Sequence, residues 1–296
     1  MARLSRFEVI KRMNLIIIDH LRKQPKILFS SFDLKRILSE KRKDWAIPKK
    51  TTFDEFVECV LLNKILMPVE IQLQSNSQIK FALAKSSVYE IALAINKGSY
   101  LSHSTAMYIH NLTNVEPESI YINTEQRKKA FNKEVRLIQD NIDRAFSRPM
   151  RETKQIARIN NMDVYLLNGK NLNQLGVENI KLNGKKVIAT GLERTLIDIA
   201  VRPNYSGGVN AVVKAYSAAK DKVNISKLVS MLKKTDYIYP YHQTIGFYMD
   251  RSGYKETDLR LLEEFNIQYN FYLTYQIVEK QFSDKWKIFY PKNLDI

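Results

Sequence analysis

The run Lys49-Lys50-Thr51-Thr52-Phe53-Asp54-Glu55-Phe56-Val57-Glu58-Cys59-Val60-Leu61-Leu62-Asn63 decides how the first third of this chain is read. Thr52 and Glu55 have the spacing of a capping box, in which each side chain satisfies a backbone amide left open at the start of a helix. Phe53, Phe56, Val57, Val60 and Leu61 then recur at helical intervals, so a helix extends to about Asn63. Directly before it lies a charged connector, Glu40 to Lys50.

Toward the N-terminus, Ser30 or Ser31 can cap a helix through Phe32 to Leu38, with Asp33 three residues after Ser30. Before that, Ile10, Met13, Leu15, Ile17 and Leu21 between cationic residues predict one amphipathic helix over 6–22, ending near Pro25. Toward the C-terminus, Ile65 to Leu73 and Gln78 to Ala84 read as two strands of a hairpin joined by Gln74-Ser75-Asn76-Ser77. Three helices followed by a hairpin is the order of a winged helix-turn-helix. The basic connector ends where the third helix begins, the terminus that meets a DNA groove in that motif. The residues expected at DNA are Arg36, Lys41, Arg42, Lys43, Lys49, Lys50, Thr51, Thr52 and, on the wing, Lys80. Asp54, Glu55 and Glu58 would repel phosphates along the whole helix, so only its first turn is expected to approach. Asp54 and Glu55 would then either stabilise the helix N-terminus or read a cytosine amino group.

The chain has 296 residues and a formal charge of +16, which suits two domains, 1–85 and 86–296, and an anionic partner. Residues 1–85 hold 17 Lys/Arg against 9 Asp/Glu. A second basic block over 126–158 holds 10 against 4, and within it Arg127, Lys128, Lys129, Lys133, Arg136, Arg144, Arg148 and Arg151 form the second basic patch. Together these blocks favour binding through phosphate charge over mere solvation. Cys59 is the lone cysteine, which excludes an intramolecular disulfide and a thiolate metal cage and predicts a reducing, cytoplasmic setting. Met1 to Arg6 carries no apolar signal core, and no stretch of about 20 uncharged apolar residues occurs, so no membrane association is expected.

Beyond residue 86 the pattern is α+β. Helices are expected over 87–96, 102–111, 192–201, 209–219, 225–233, 241–249 and 259–265, and most of 126–158 reads as helical. Strands are expected at 119–123, 162–167, 271–278 and 287–290, with a hairpin turning at Asn183-Gly184.

Catalytic patterns are weak. Gly207-Gly208 lacks the remaining elements of a phosphate loop and reads as a helix start. His103 and His110 are about 10.5 Å apart by helical rise, too far for one metal ion. Ser102-His103-Ser104 reads as a helix cap rather than a nucleophile. Asp163 lacks the Glu-x-Lys that a nuclease site would need. No metal, cofactor or enzymatic activity is expected, and a metal-dependent nuclease acting on bound nucleic acid stays as the alternative, beside a module that neutralises a toxin by direct contact.

The most distinctive segment runs from Thr190 to Pro203. Arg194 and Asp198, four apart on one helical face, can pair. Such a pair, if exposed, stabilises by only ~0.3–0.5 kcal/mol. Here the chain resembles the AbiEi-type antitoxins, the transcriptional-regulator half of bacterial abortive-infection (type IV) toxin–antitoxin operons used in phage defence. The resemblance rests on Glu193-Arg194-Thr195-Leu196-Ile197-Asp198 with Arg202-Pro203 and Gly207-Gly208, and on Tyr100-Leu101-Ser102-His103-Ser104-Thr105-Ala106 with His110. It also rests on Leu175-Gly176-Val177 and on Lys285-Trp286-Lys287-Ile288 before Pro291. It covers about 87–296 and implies a DNA-binding repressor of its own operon that binds double-stranded DNA upstream of it and counteracts a cognate nucleotidyltransferase toxin. Glu193, Arg194, Asp198 and Arg202 would then be structural or toxin-related. The connector Lys41 to Lys50 is longer and more charged than that family suggests.

Overall fold

The computed structural model describes residues 5–73, 76–127 and 137–294. Its N-terminal helices begin where short polar side chains close capping boxes. Ser5 with Glu8 opens α1 (Arg6–Arg12), and after one residue, Met13, the chain continues as α2 (Asn14–Arg22). Ser30 with Asp33 opens α3 (Ser31–Lys41), and Thr52 with Glu55 opens α4 (Phe53–Leu62). Each box satisfies two otherwise orphaned donors. A hairpin of β1 (Leu66–Leu73) and β2 (Asn76–Leu83) follows, and Ser87 with Glu90 opens α5 (Val88–Leu93).

Further along are β3 (Tyr100–Leu101), α6 (His103–Ile109), β4 (Ser119–Glu125), α7 (Gln139–Phe146), β5 (Ile156–Ile159), β6 (Met162–Gly169), β7 (Val177–Leu182) and β8 (Lys185–Thr190). Then come α8 (Leu192–Val201), a 3₁₀ turn (Pro203–Ser206), α9 (Gly208–Ala219), α10 (Ile225–Thr235), α11 (Tyr241–Arg251) and α12 (Glu256–Glu263). The chain closes with β9 (Phe271–Tyr272), β10 (Lys280–Ser283) and β11 (Ile288–Pro291). The fold class is α+β, as the sequence predicts. No helix among the described residues is long and apolar enough to cross a membrane.

The chain forms two compact units, Met1–Gly98 with Gln155–Val164, and Ser99–Lys154 with Tyr165–Ile296. In the first, β1 and β2 pair antiparallel from Leu66 opposite Leu83 to Leu73 opposite Asn76. The returning segment lays β5 on the other side of β1, with Ile71 opposite Ile159. The helical core gathers Ile10, Ile17, Leu21, Leu34, Ile37, Phe56 and Val60 around Trp45. Trp45 stacks on Phe56 at 6.3 Å between centroids and meets His20 edge-on at 5.6 Å. The connector is therefore anchored in the core rather than merely solvated, and Ile47 is buried beside Trp45.

Two expectations need correction here. The helix predicted over 6–22 is two helices, because Met13 leaves helical geometry at ψ 2°. The apolar stripe nevertheless carries through Ile10, Ile17 and Leu21, while Leu15 is exposed. Within 126–158, the described helix is confined to Gln139–Phe146, and β5 occupies Ile156–Ile159. Pro149 and the sparse apolar spacing after Phe146 do not support a continuing helical stripe.

In the second unit, with β6 counted from Tyr165, the strands follow the order β6-β4-β3-β8-β7, and the predicted Asn183-Gly184 turn joins β7 to β8 in register. Around α8 pack α6, α9, α10 and α11, and their apolar faces form the larger core. A small sheet, β10-β11-β9, caps it. Three residues of α11 at helical spacing receive Trp286. Gln243 donates to the Trp286 carbonyl at 2.7 Å, Asp250 accepts from the indole Nε1 at 2.8 Å, and Gly246 lies under the ring, where a Cβ would overlap the aromatic carbons. Gly246→Ala therefore overpacks a fully buried indole, and we expect a loss of about 1–3 kcal/mol, measured by urea unfolding with a change in the native tryptophan emission.

Candidate functional site

Of the residues expected at DNA, Lys43, Lys49 and Lys50 are exposed, and none has a carboxylate partner among the described residues. Arg36 is exposed on α3, Thr52 is the exposed N-cap of α4, and Lys80 is half-buried on β2. Lys41 pairs with Asp44 at 2.9 Å. Arg42 donates to the Pro48 and Thr51 carbonyls at 2.8 and 3.1 Å, and Thr51 is buried. These last two therefore hold the connector's shape, and their side chains are not part of the exposed cationic surface. Glu55 completes the capping box and also meets Arg6 at 2.8 Å, so its charge serves the helix start.

The second unit contains a cleft of about 740 Å³, and three groups of residues named from the sequence converge on it. Arg194, Asp198 and Arg202 come from α8 and its end. Arg144, Arg148 and Arg151 come from α7 and the segment after it, and His103 comes from the start of α6. Of the rest of the second patch, Arg127 is exposed outside the cleft lining, and Lys128, Lys129, Lys133 and Arg136 lie outside the described residues.

α8 is buried on all sides from Glu193 to Ala200, so the small value of an exposed pair does not apply to Arg194 and Asp198. Arg194 Nε donates to Asp198 Oδ1 at 2.8 Å with both side chains almost fully buried. The same guanidinium donates to the Leu175 carbonyl and reaches the Tyr100 hydroxyl at 3.5 Å. Burial opposes its charge, and Asp198 with the other acceptors outweighs that penalty, so it stays protonated. Gly176, at φ +70°, lets the chain pass so close to the Arg194 Cβ that a side chain there would collide. That explains the Leu175-Gly176-Val177 segment: it closes over the arginine. Glu193 works outward, accepting from the Asn224 amide at 3.1 Å and from Lys227 at 2.7 Å, and so holds the start of α10.

Asp198 Oδ2 is buried and has no hydrogen-bond partner among the described residues. Arg148, Arg151 and Arg202 are exposed and carry no ion pair among them. Lys170, also lining the cleft, is tied to the Thr235 carbonyl at 2.9 Å. Part of the lining is aromatic. Tyr237 and Tyr241 meet edge-on at 5.2 Å, and Tyr275 stacks on Phe146 at 4.4 Å. Burial, and then the Asp198 charge, raise the Tyr237 phenol, which is therefore neutral.

His103 sits in the left-handed region at φ +52° and is buried. Burial pulls its pKa down to about 4, so the imidazole is neutral at pH 7. Ser102 occupies the N-cap of α6, but its hydroxyl makes no cap bond and meets His103 Nδ1 at 2.9 Å. On a regular helix adjacent side chains diverge; the left-handed backbone of His103 brings these two together. His110 donates from Nε2 to the Thr190 carbonyl at 2.7 Å. Asp163 pairs with Arg158 at 2.7 Å. No group of three potential metal ligands occurs among the described residues.

No family model and no curated protein matches the chain. Among solved structures it is similar to the RV2827C protein from Mycobacterium tuberculosis, with a TM-score of 0.58 and 13% identity over 98% of this chain and 93% of that one. At that identity the likeness bears on the fold alone.

The sequence reading missed Lys170 and the tyrosines. Tyr237-Ile238-Tyr239-Pro240-Tyr241 was the available signal, three aromatic rings around a proline that ends in the first turn of α11. Two measurements test the site's interior. Arg194→Met leaves Asp198 charged and buried, and should cost about 3–5 kcal/mol in chemical denaturation, much of it regained when Asp198→Leu is added. His103 and His242 both have pKa values lowered by burial to about 4. Below about 6.5 the unfolded chain takes up protons that the folded chain refuses, so stability should fall progressively from about pH 6.5 to pH 4. His103→Asn, which tolerates the left-handed backbone, should flatten part of that dependence.

Proposed function

We propose that this chain is a DNA-binding antitoxin that represses its own operon in the bacterial cytoplasm and counteracts a cognate nucleotidyltransferase toxin, acting by binding rather than by catalysis. The observation that carries the DNA reading is the first unit's order of helices, connector and hairpin, in which exposed Lys43, Lys49 and Lys50 run into the capped first turn of α4. That arrangement fits a winged helix-turn-helix whose α4 approaches double-stranded DNA by its N-terminus, where backbone amides and lysines meet phosphate. Asp54 and Glu58, exposed further along α4, disfavour insertion of its full length. Base reading then falls to Thr52 and its neighbours, with phosphate contacts from Arg36 and the connector.

The toxin assignment rests on the sequence resemblance carried by Glu193 to Asp198 and the segments in order around it. Within the second unit Arg194 bonds to Leu175 and reaches Tyr100, and His110 bonds to Thr190, so three of those segments meet around α8.

A gel shift with the DNA upstream of the chain's own reading frame tests the first part. Lys49→Glu with Lys50→Glu should abolish specific binding at moderate salt. Each lost phosphate contact should also take ~0.9 from the slope of log K against log salt for the remaining binding. Unchanged affinity and slope would remove this face from DNA. Co-expression with a nucleotidyltransferase encoded beside this chain's own gene, which this reading requires, scored by growth rescue, tests the second part, and the absence of such a gene would overturn it.

A further inference from the structure

We infer that the cleft of the second unit is a nucleotide-binding site, with the phosphates held by Arg148, Arg151 and Arg202 and an N–H edge of the base received by Asp198. The inference does not depend on the DNA reading of the first unit. It rests on three features that a single ligand class satisfies together.

The first is charge. Arg148, Arg151 and Arg202 are exposed, have no carboxylate partner among the described residues although Arg202 also lies over the Tyr205 ring at 5.7 Å, and are drawn from two separate elements onto one concavity. Guanidinium forks at the rim of a cleft suit phosphate oxygens, which they can hold bidentately. The second is the aromatic wall. Tyr237 and Tyr275 offer partly exposed rings beside those arginines, and the Arg151 and Arg202 charges both bear on Tyr275. A planar base can stack there, as on the aromatic platforms of single-strand binding proteins. The third is Asp198. Its Oδ1 is held by Arg194, while Oδ2 is buried in the cleft wall without a partner among the described residues. A buried acceptor left unmatched is costly, and a base amino or imino N–H supplies what it lacks. Inorganic phosphate would match only the arginines. An acidic peptide would match the arginines and set its carboxylates against Asp198. A cleft of about 740 Å³ accommodates a nucleotide within the usual range of ligand sites.

The chemistry is the same for a free nucleotide and for the terminal nucleotide of a strand, and calorimetry on the full chain can separate them. ATP, GTP, CTP and UTP, a five-nucleotide single-stranded RNA, tripolyphosphate and a polyglutamate peptide would each be titrated at fixed salt. At least one nucleotide should bind at least tenfold more tightly than tripolyphosphate. RNA binding above that of the best mononucleotide would identify a strand end as the source, and the reverse order a free nucleotide.

Arg148→Glu with Arg151→Glu changes only exposed side chains and should weaken nucleotide binding by about tenfold or more, with operator binding unchanged. Asp198→Asn keeps an acceptor for Arg194 and puts a donor where Oδ2 stands. It should lower affinity for nucleotides and leave tripolyphosphate unaffected. Thermal melts with saturating nucleotide should rise for the native chain and not for the arginine variant. Equal affinity for tripolyphosphate and every nucleotide would reduce the cleft to an anion patch and overturn the proposal. So would polyglutamate binding without nucleotide binding, or nucleotide affinity indifferent to both variants. Lys49→Glu with Lys50→Glu should leave nucleotide binding intact, so a failed DNA reading and a failed nucleotide reading give different results.

Discussion

The buried pair of Arg194 and Asp198 is the interaction on which the second unit's architecture turns. A guanidinium taken out of water must have its donors met, and this one draws its acceptors from three places: the next turn of α8, the Leu175 carbonyl before β7, and the Tyr100 hydroxyl on β3. Those are segments far apart in sequence, so one side chain fixes the approach of the sheet to its central helix. Gly176 exists in that arrangement because the chain must pass over the Arg194 stem with no room for a Cβ. A hydrophobic residue of similar size could fill the same volume, but it could not specify which carbonyl and which hydroxyl lie against it. The resulting wall retains one carboxylate oxygen that the described residues leave unmatched.

The two cationic regions differ in kind. In the first unit, the exposed lysines stand on a connector whose form is set from within, by Trp45 in the core and by Arg42 on its own carbonyls. Its flexible ammonium groups suit a repeating phosphate backbone. In the second unit, three arginines border a concavity with an aromatic wall and a buried acid. Planar donors around a shaped space select a compact ligand by geometry as well as by charge.

Much of this was readable in local signals. The serine cap of α3, which falls on Ser30 rather than Ser31, the capping box at Thr52, the Asn183-Gly184 turn and the period of α4 each require only neighbours in sequence, and each appears where the residues predict it. What could not be read depended on distant partners. Arg194 and Asp198 are four apart in any helix, but their burial is decided by β3, β7 and α10. The cleft joins residues from His103 to Tyr275, and nothing in the spacing of Arg144, Arg148 and Arg151 announces the tyrosines that share it. The split of the first helix at Met13 and the left-handed backbone of His103 are likewise tertiary choices, where packing overrules periodicity.

The return of the chain to the first unit also orders its assembly in time. β1 lies between β2 and β5, yet β5 is made only after the whole span from Ser99 to Lys154. Until Gln155–Val164 leaves the ribosome, the nascent first unit presents the bare edge of β1 at Ile71 and Gln72, a row of unpaired amides and carbonyls of the kind that recruits other strands. Helices α1 to α4 can collapse on Trp45 early, because their contacts are local, whereas closing the sheet waits on a long loop. A cell synthesising this protein therefore carries a half-sheeted intermediate for several seconds at ordinary elongation rates. A fragment ended at Gly98 would retain that open edge permanently.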